Sequence, residues 1–166
     1  GHTLLLSGSY FANLSVFASN LKFDPMRDFA NIATLAEIPI AIGAGTGTPF
    51  QTLGDLIAAA KARPARLDYG TPGAGSSAHL TCELFKLRAG IDIVHVPYKG
   101  AGPAITDVLR GDVQSMFGLS VVLPHVRSGK LRALATTGPR RMAFLPQVPT
   151  IAELGFPGFE ATAWYG

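Results

Sequence analysis

Residues 67 to 90, LDYGTPGAGSSAHLTCELFKLRAG, set Gly70, Gly73, Gly75, Ser76 and Ser77 between an apolar strand-like run and a helical pattern. A helix start leaves backbone N–H groups without intrahelical partners and carries the positive end of the helix dipole, so this turn has the chemistry to hold an anion. Gly73-Ala74-Gly75-Ser76-Ser77-Ala78 also satisfies G-x-G-x-x-G/A in the strand-turn-helix context of a dinucleotide loop. The acid that would bind the ribose decides between the two. It must stand at the carboxyl end of the second strand, whereas Asp92 precedes IVHVP. That places it roughly 16 Å from the edge, which Tyr98 and Lys99 reach instead. An NAD(P)-dependent oxidoreductase using Gly73–Ala78 is therefore the alternative and not the preferred reading.

Other chemistry finds less support. The sequence has no GxxxxGK[ST], HExxH, GxSxG or CxxC, and its four histidines stand at positions 2, 79, 95 and 125. Ser76 and His79 share a helical turn, a spacing that suits a cap and a hydrogen-bonding ring better than a nucleophile and base. Cys82, between Leu80 and Leu84, reads as a small core residue that can form no internal disulfide. No carboxylate pair stands at two helix starts. The residues therefore nominate no catalytic group, no metal site and no cofactor.

The elements that must position the turn alternate. Strands are expected at 3–7, 39–44, 66–70, 93–97, 113–118, 131–137 and 159–165, most of them separated by one helix. Thr52 with Asp55 forms a capping box for a helix through Lys61, and Thr150 with Glu153 opens a short helix that Gly155 closes. Gly102-Pro103 starts another, which Gly111 stops, and a further helix ends at Gly129 with Pro124 in its first turn. This order predicts an α/β fold with a mostly parallel sheet flanked by helices. Three turns should then meet at the carboxyl edge: 71–77, 98–102 and 118–120.

Composition sets the outer bounds. The 166 residues, 48% apolar and 9% aromatic, suffice for a well-buried domain. Only 15% are charged and the mean hydropathy is +0.28, but the longest apolar run, 32–45, contains Glu37 and Pro39 and is too short for a membrane span. The net charge is +3, with basic residues scattered as Lys61, Arg63, Arg66, Arg127, Lys130, Arg132, Arg140 and Arg141, so no nucleic-acid partner is expected. GHTLLLS at the start and FEATAWYG at the end are both strand-like, which suggests a piece of a longer polypeptide.

The segments GHTLLLSGS, FDPMRDFANIATLAE, LDYGTPGAGSSAHL, ELFKLRAGIDIVHVPYKGAGPAITDVLRGDVQSMF, LPHVRSGKLRALATT and LPQVPTIAELGFPGFEATAWYG stand in this order along essentially the whole chain. Together they resemble the substrate-binding proteins of tripartite tricarboxylate transporters, the TctC or Bug family. The resemblance implies a type II-like periplasmic binding protein fold, of which this chain is the middle portion. By that analogy 45–136 form a complete second lobe, 1–44 a partial first lobe and crossover, and 137–166 the return crossover into the first lobe.

The resemblance also implies a function. Members capture a small organic carboxylate between two lobes and deliver it to a membrane permease, so the expected location is periplasmic and the expected role non-enzymatic. Carried over by motif, Gly73, Ala74, Gly75, Ser76 and Ser77 hold one ligand carboxylate, Gly100 and Ala101 form a wall, and Ser7 and Ser9 match first-lobe contacts. Many relatives carry Asp where this chain has Gly118, a departure that bears on amino-acid ligands. The family's first-lobe carboxylate loop has no counterpart here, so weak binding is expected. Trp164 and Tyr165 should pack across the lobe junction, and its exposure predicts a dimer through unpaired edges.

Overall fold

Glycine and proline punctuation cuts the chain into short elements, seen in a computed structural model that describes residues 3–118 and 120–166. In chain order these are α1 (Tyr10–Phe17), β1 (Ala36–Pro39), β2 (Ala41–Gly45), α2 (Leu53–Ala62), β3 (Asp68–Thr71), α3 (Ser77–Ala89), β4 (Val94–Pro97), α4 (Ala101–Arg110), β5 (Ser115–Gly118), α5 (Leu123–Arg127), β6 (Leu131–Thr136) and β7 (Thr162–Tyr165). Short 3-10 turns cover Ser120–Val122 and Ala152–Leu154. No helix among the described residues is long and apolar enough to cross a membrane.

The expected capping signals act where the sequence puts them. Thr52 Oγ1 accepts from Asp55 N at 3.2 Å, while Asp55 Oδ2 accepts from Thr52 N at 2.8 Å, and α2 follows. Gly111, at φ +87°, ends α4. Thr150 and Glu153 make the same reciprocal pair, but the product is only the 3-10 turn at Ala152–Leu154.

Five strands form the main sheet in the order β4-β3-β5-β2-β6. β3 is parallel to β4 and β5, whereas β2 is antiparallel to both β5 and β6. Four strands therefore run one way, as the mostly parallel expectation required, and β2 opposes them. Helices cover both faces. On one, Ile42, Tyr69, Phe117 and Leu134 meet Leu53 and Leu56 of α2 and Cys82 and Phe85 of α3. On the other, Ala41, Met116 and Leu131 meet Ala104, Ile105 and Val108 of α4. Neighbouring residues Met116 and Phe117 face opposite layers, as a period-two strand buried on both sides requires. Each fully buried Leu, Ile or Phe side chain contributes roughly 1.5–3 kcal/mol, so these two layers supply most of the driving force.

The small residues of β2, AIGAG, follow from how closely α4 crosses it. A Cβ on Gly45 would stand 2.7 Å from the Val108 carbonyl oxygen, a backbone atom with little room to retreat.

Two expected strands are corrected. Residues 3–7 form none: Leu4 and Leu6 are 81% and 66% exposed, and Gly8 makes only an isolated bridge to Tyr165. Among the described residues only Ser7 of this run finds a backbone partner, at Gly166, and the apolar residues before it have no partner strand to hold them in a sheet. The 39–44 run divides at Ile40. β1 pairs antiparallel with β7 in a separate two-stranded ribbon, while β2 enters the main sheet. The switch is made by Thr137, whose hydroxyl accepts from Ile40 N at 2.9 Å and donates to the Ala161 carbonyl at 2.6 Å. Strand pairing in the last run is confined to β7, and Phe159 before it belongs to the buried core.

Candidate functional site

The turn between β3 and α3 is built by its own hydroxyls. Ser76 is the N-cap of α3: its Oγ accepts from His79 N at 3.3 Å and donates to the Gly73 carbonyl at 2.7 Å. Thr71 Oγ1 lies 3.3 Å from Gly73 N and 3.2 Å from the Gly73 carbonyl oxygen, and 2.6 Å from His95 Nε2. Gly75 adopts φ +76°, which favours glycine, and is buried. Its N–H donates to His79 Nδ1 at 3.1 Å and its carbonyl lies 3.5 Å from Asn13 Nδ2. A Cβ on it would come within 2.8 Å of the Phe17 ring.

The expected site residues thus have different occupations. The N–H groups of Ala74, Ser77 and Ala78 take no partner among the described residues, and Ala74 is exposed. Ser77 Oγ is hydrogen-bonded to Ser9 Oγ, which joins the amino-terminal segment to the turn. Gly100 donates its N–H to the Pro72 carbonyl at 3.0 Å and so draws the start of α4, with Ala101, to the same edge. Ser7 is backbone-paired with Gly166 in both directions, at 2.9 and 3.0 Å, and its hydroxyl is buried without a partner. Ser9 N donates to the Trp164 carbonyl at 2.9 Å. The described structure therefore gathers 73–77, Ser9, Gly100 and Ala101. Leu119, in the third expected turn, lies outside the described residues, as does His2.

Gly118 ends β5 at this edge, and a Cβ there would meet Val122 Cγ1 at 2.9 Å and Met116 Cε at 3.0 Å, so these apolar groups occupy the space of a side chain. Asp92, by contrast, precedes β4 at the opposite edge, where its carbonyl accepts from Ala65 N at 3.1 Å. An open groove of about 510 Å³ lies beside Arg132, Thr52 and Pro149 and includes none of the turn. Among the described residues no three His, Cys, Asp or Glu side chains gather as a metal set.

Pattern reading missed a cluster directly behind the turn. The rings of His79 and His95 stack with centroids 4.0 Å apart and planes 16° apart, and Tyr69 stacks on His95 at 5.0 Å. Tyr69 Oη donates to Glu83 Oε1 at 2.6 Å, and Lys86 Nζ donates to the same oxygen at 3.0 Å. Burial lowers the pKa of both imidazoles; for His95 the neighbouring His79 and Lys86 add to it, Glu83 opposes, and the result is about 4. Burial likewise raises the Cys82 thiol, which keeps it protonated and inert. The only signal for the histidine pair was that His79 lies four residues after Gly75 and His95 follows on the next strand. Asn13 and Phe17, at i and i+4 of α1, carried no signal at all.

The depressed histidine has a sign that can be tested. With its folded pKa below the unfolded value near 6.5, the unfolded chain binds the proton first, so stability is full above pH 6.5 and falls as pH drops towards 4. The full shift corresponds to about 3 kcal/mol at most, and solvent around the partly exposed ring reduces this to about 1–2 kcal/mol. Urea unfolding at pH 7 and pH 4.5 should show the wild type losing about that much more than His95→Gln; equal losses would refute it.

The defining pattern of the family described as "Tripartite tricarboxylate transporter family receptor", TctC, matches residues 1–166. Protein BugT of Bordetella pertussis is 40% identical over 169 residues, covering 99% of this chain and 52% of BugT. Among solved structures, R. palustris Rpa4515 with adipate has 36% identity and a TM-score of 0.84, over 89% of this chain and 50% of that one. MatC (Rpa3494) from Rhodopseudomonas palustris, with bound malate, has 29% identity and a TM-score of 0.85, over 97% and 55%. The mixed α/β arrangement is thus that of the TctC and Bug binding proteins. The chain belongs to the tripartite tricarboxylate transporter receptor family. It spans about half the length of the curated relatives it matches.

Proposed function

We propose that this chain carries one carboxylate-holding wall of an extracytoplasmic solute receptor, whose whole form captures a small organic carboxylate and presents it to a tripartite transporter permease. The observation that carries the reading is the set of unspent N–H groups on Ala74, Ser77 and Ala78 at the positive end of α3. Ser9 brings a second hydroxyl to it from the amino-terminal segment. The adipate and malate held by two relatives support a dicarboxylate in particular. On this reading 45–136 are one lobe, 1–44 and 137–166 contribute to the other, and the receptor works in the periplasm without catalysing a reaction.

Each charge-assisted hydrogen bond contributes about 1.5–3 kcal/mol net, so a few of them on one wall give millimolar binding. An amide-resolved NMR titration with adipate, malate, citrate, phosphate and NAD tests this. Dicarboxylates should shift 73–78 and 100–102 at millimolar concentrations and leave Asp92 still. Shifts with NAD alone, or none with any acid, would sink the proposal.

The exposed side chains of Leu4, Leu5, Leu6, Val16, Met26, Ile32 and Leu35 lie outside the core. They favour self-association of this chain. Sedimentation velocity at rising concentration should reveal a dimer, and a monomer throughout would refute it.

A further inference from the structure

The Gly75 peptide sits in the middle of the anion-holding turn, yet none of its groups is free for a ligand. His79 takes its N–H, Asn13 approaches its carbonyl, and the Phe17 ring fills the space where a Cβ would stand. The His79 ring cannot easily turn away, because it lies flat against His95 at 4.0 Å. His95 in turn contacts Thr71 Oγ1 at 2.6 Å, the same hydroxyl that bridges to Gly73 N and to the Gly73 carbonyl. The stacked pair therefore grips the turn at both of its glycines, directly at Gly75 and through Thr71 at Gly73.

We propose that His79 is a positioning residue for this turn: its neutral ring accepts the Gly75 N–H and so leaves the Ala74, Ser77 and Ala78 N–H groups for the ligand, and acid opens the lock. The proposal rests on the carboxylate reading above for its effect on binding. An acceptor at Nδ1 requires that the proton of neutral His79 be on Nε2. Protonation puts a second donor against the Gly75 N–H, and the bond is replaced by a donor-donor clash.

The groups facing the ring are His95 on β4, Tyr69 on β3 behind it, and Glu83 and Lys86 on α3 itself. Glu83 favours the imidazolium, whereas burial and Lys86 disfavour it, and the balance lowers the His79 pKa. The lock is thus closed at neutral pH and yields only in mild acid. Asn13 and Phe17, from α1, add no charge.

The test is ¹H–¹⁵N spectroscopy of the 166-residue chain from pH 8 to 4.5, with malate titrations at pH 7.5 and 5.5. The Gly75 amide should move with the His79 ring titration. His79→Leu should speed Gly75 amide exchange at least tenfold at pH 7.5 and weaken malate about tenfold. His79→Asn, which keeps an acceptor near the Nδ1 position and does not titrate, should restore most of both. Between the two pH values malate affinity should fall measurably more in the wild type than in His79→Asn, a ratio in which the protonation of malate itself cancels.

A Gly75 amide indifferent to the His79 titration overturns the proposal. So does identical pH dependence of malate binding in the wild type and His79→Asn. If malate binds no variant at any pH while Gly75 still follows His79, the lock stands and the carboxylate reading is what fails.

Discussion

Replacing Phe85 with alanine is expected to lower the unfolding free energy by about 3–5 kcal/mol, a large part of the roughly 5–15 kcal/mol that holds an ordinary domain together. Phe85 is fully buried on the α3 face towards the sheet. Its ring lies 6.1 Å from Phe117 of β5, 5.9 Å from Phe156 and 6.3 Å from Phe159, centroid to centroid. One side chain therefore joins the helix that carries the turn to the sheet and to the segment before β7. Neighbours fixed by the sheet cannot collapse into the space it leaves, so the cavity cost adds to the lost transfer free energy. Urea unfolding followed by circular dichroism measures the effect. Phe85→Leu, closer in volume, should recover more than half, and a loss below about 1 kcal/mol for the alanine variant would show that Phe85 is not the keystone described here.

Thr137→Val should cost about 2–4 kcal/mol although the shape of the side chain hardly changes. The residue is fully buried, and its hydroxyl satisfies two backbone groups, Ile40 N and the Ala161 carbonyl. Valine leaves both unpaired, at about 1–3 kcal/mol each. Thr137→Ser, which keeps the oxygen, should restore most of the loss. The effect should also be felt at the site. Ile40 and Ala161 adjoin the β1/β7 ribbon, Trp164 of that ribbon holds the Ser9 N–H, and Ser9 meets Ser77. Amide shifts at Ser9 and Ser77 in Thr137→Val, absent in Thr137→Ser, would trace that connection. A stable variant with an unperturbed Ser77 would break it.

Much of the framework is legible because local chemistry writes it. The Thr52–Asp55 box, the Ser76 cap and the Gly111 stop each act within a few residues, and sequence alone locates α2, α3 and α4 from them. Strand direction is not local. AIGAG reads the same whether its neighbours run with it or against it, so nothing in those residues announced that β2 opposes β5 and β6. TLLLS has strand propensity, but only its last residue, Ser7, finds a backbone partner among the described residues, and propensity without a ladder does not make a strand. At the site, the turn and its cap were readable from Gly73 to Ser77. The approach of Ser9 to that turn was expected only through family resemblance, and the stacking of His79 on His95 depends on the β3/β4 register, which no spacing rule supplies.

The insertion of β2 between β5 and β6 also orders events in time. The strands β3, β4 and β5 follow one another along the chain with one helix between each, and they pair among themselves. β2 is made before all of them, yet Ile42 must find Phe117 on one side and Ala135 on the other. During synthesis it precedes both of its partners, so this run of small apolar residues has two open edges until β5 is made and one until β6 follows. Closing such long loops before any contact rewards them slows the search, so refolding belongs in the millisecond-to-second range of non-local topologies. Completion of the sheet then waits for β6 to close the second edge of a strand made before it, and until then that edge is exposed to pairing with other chains.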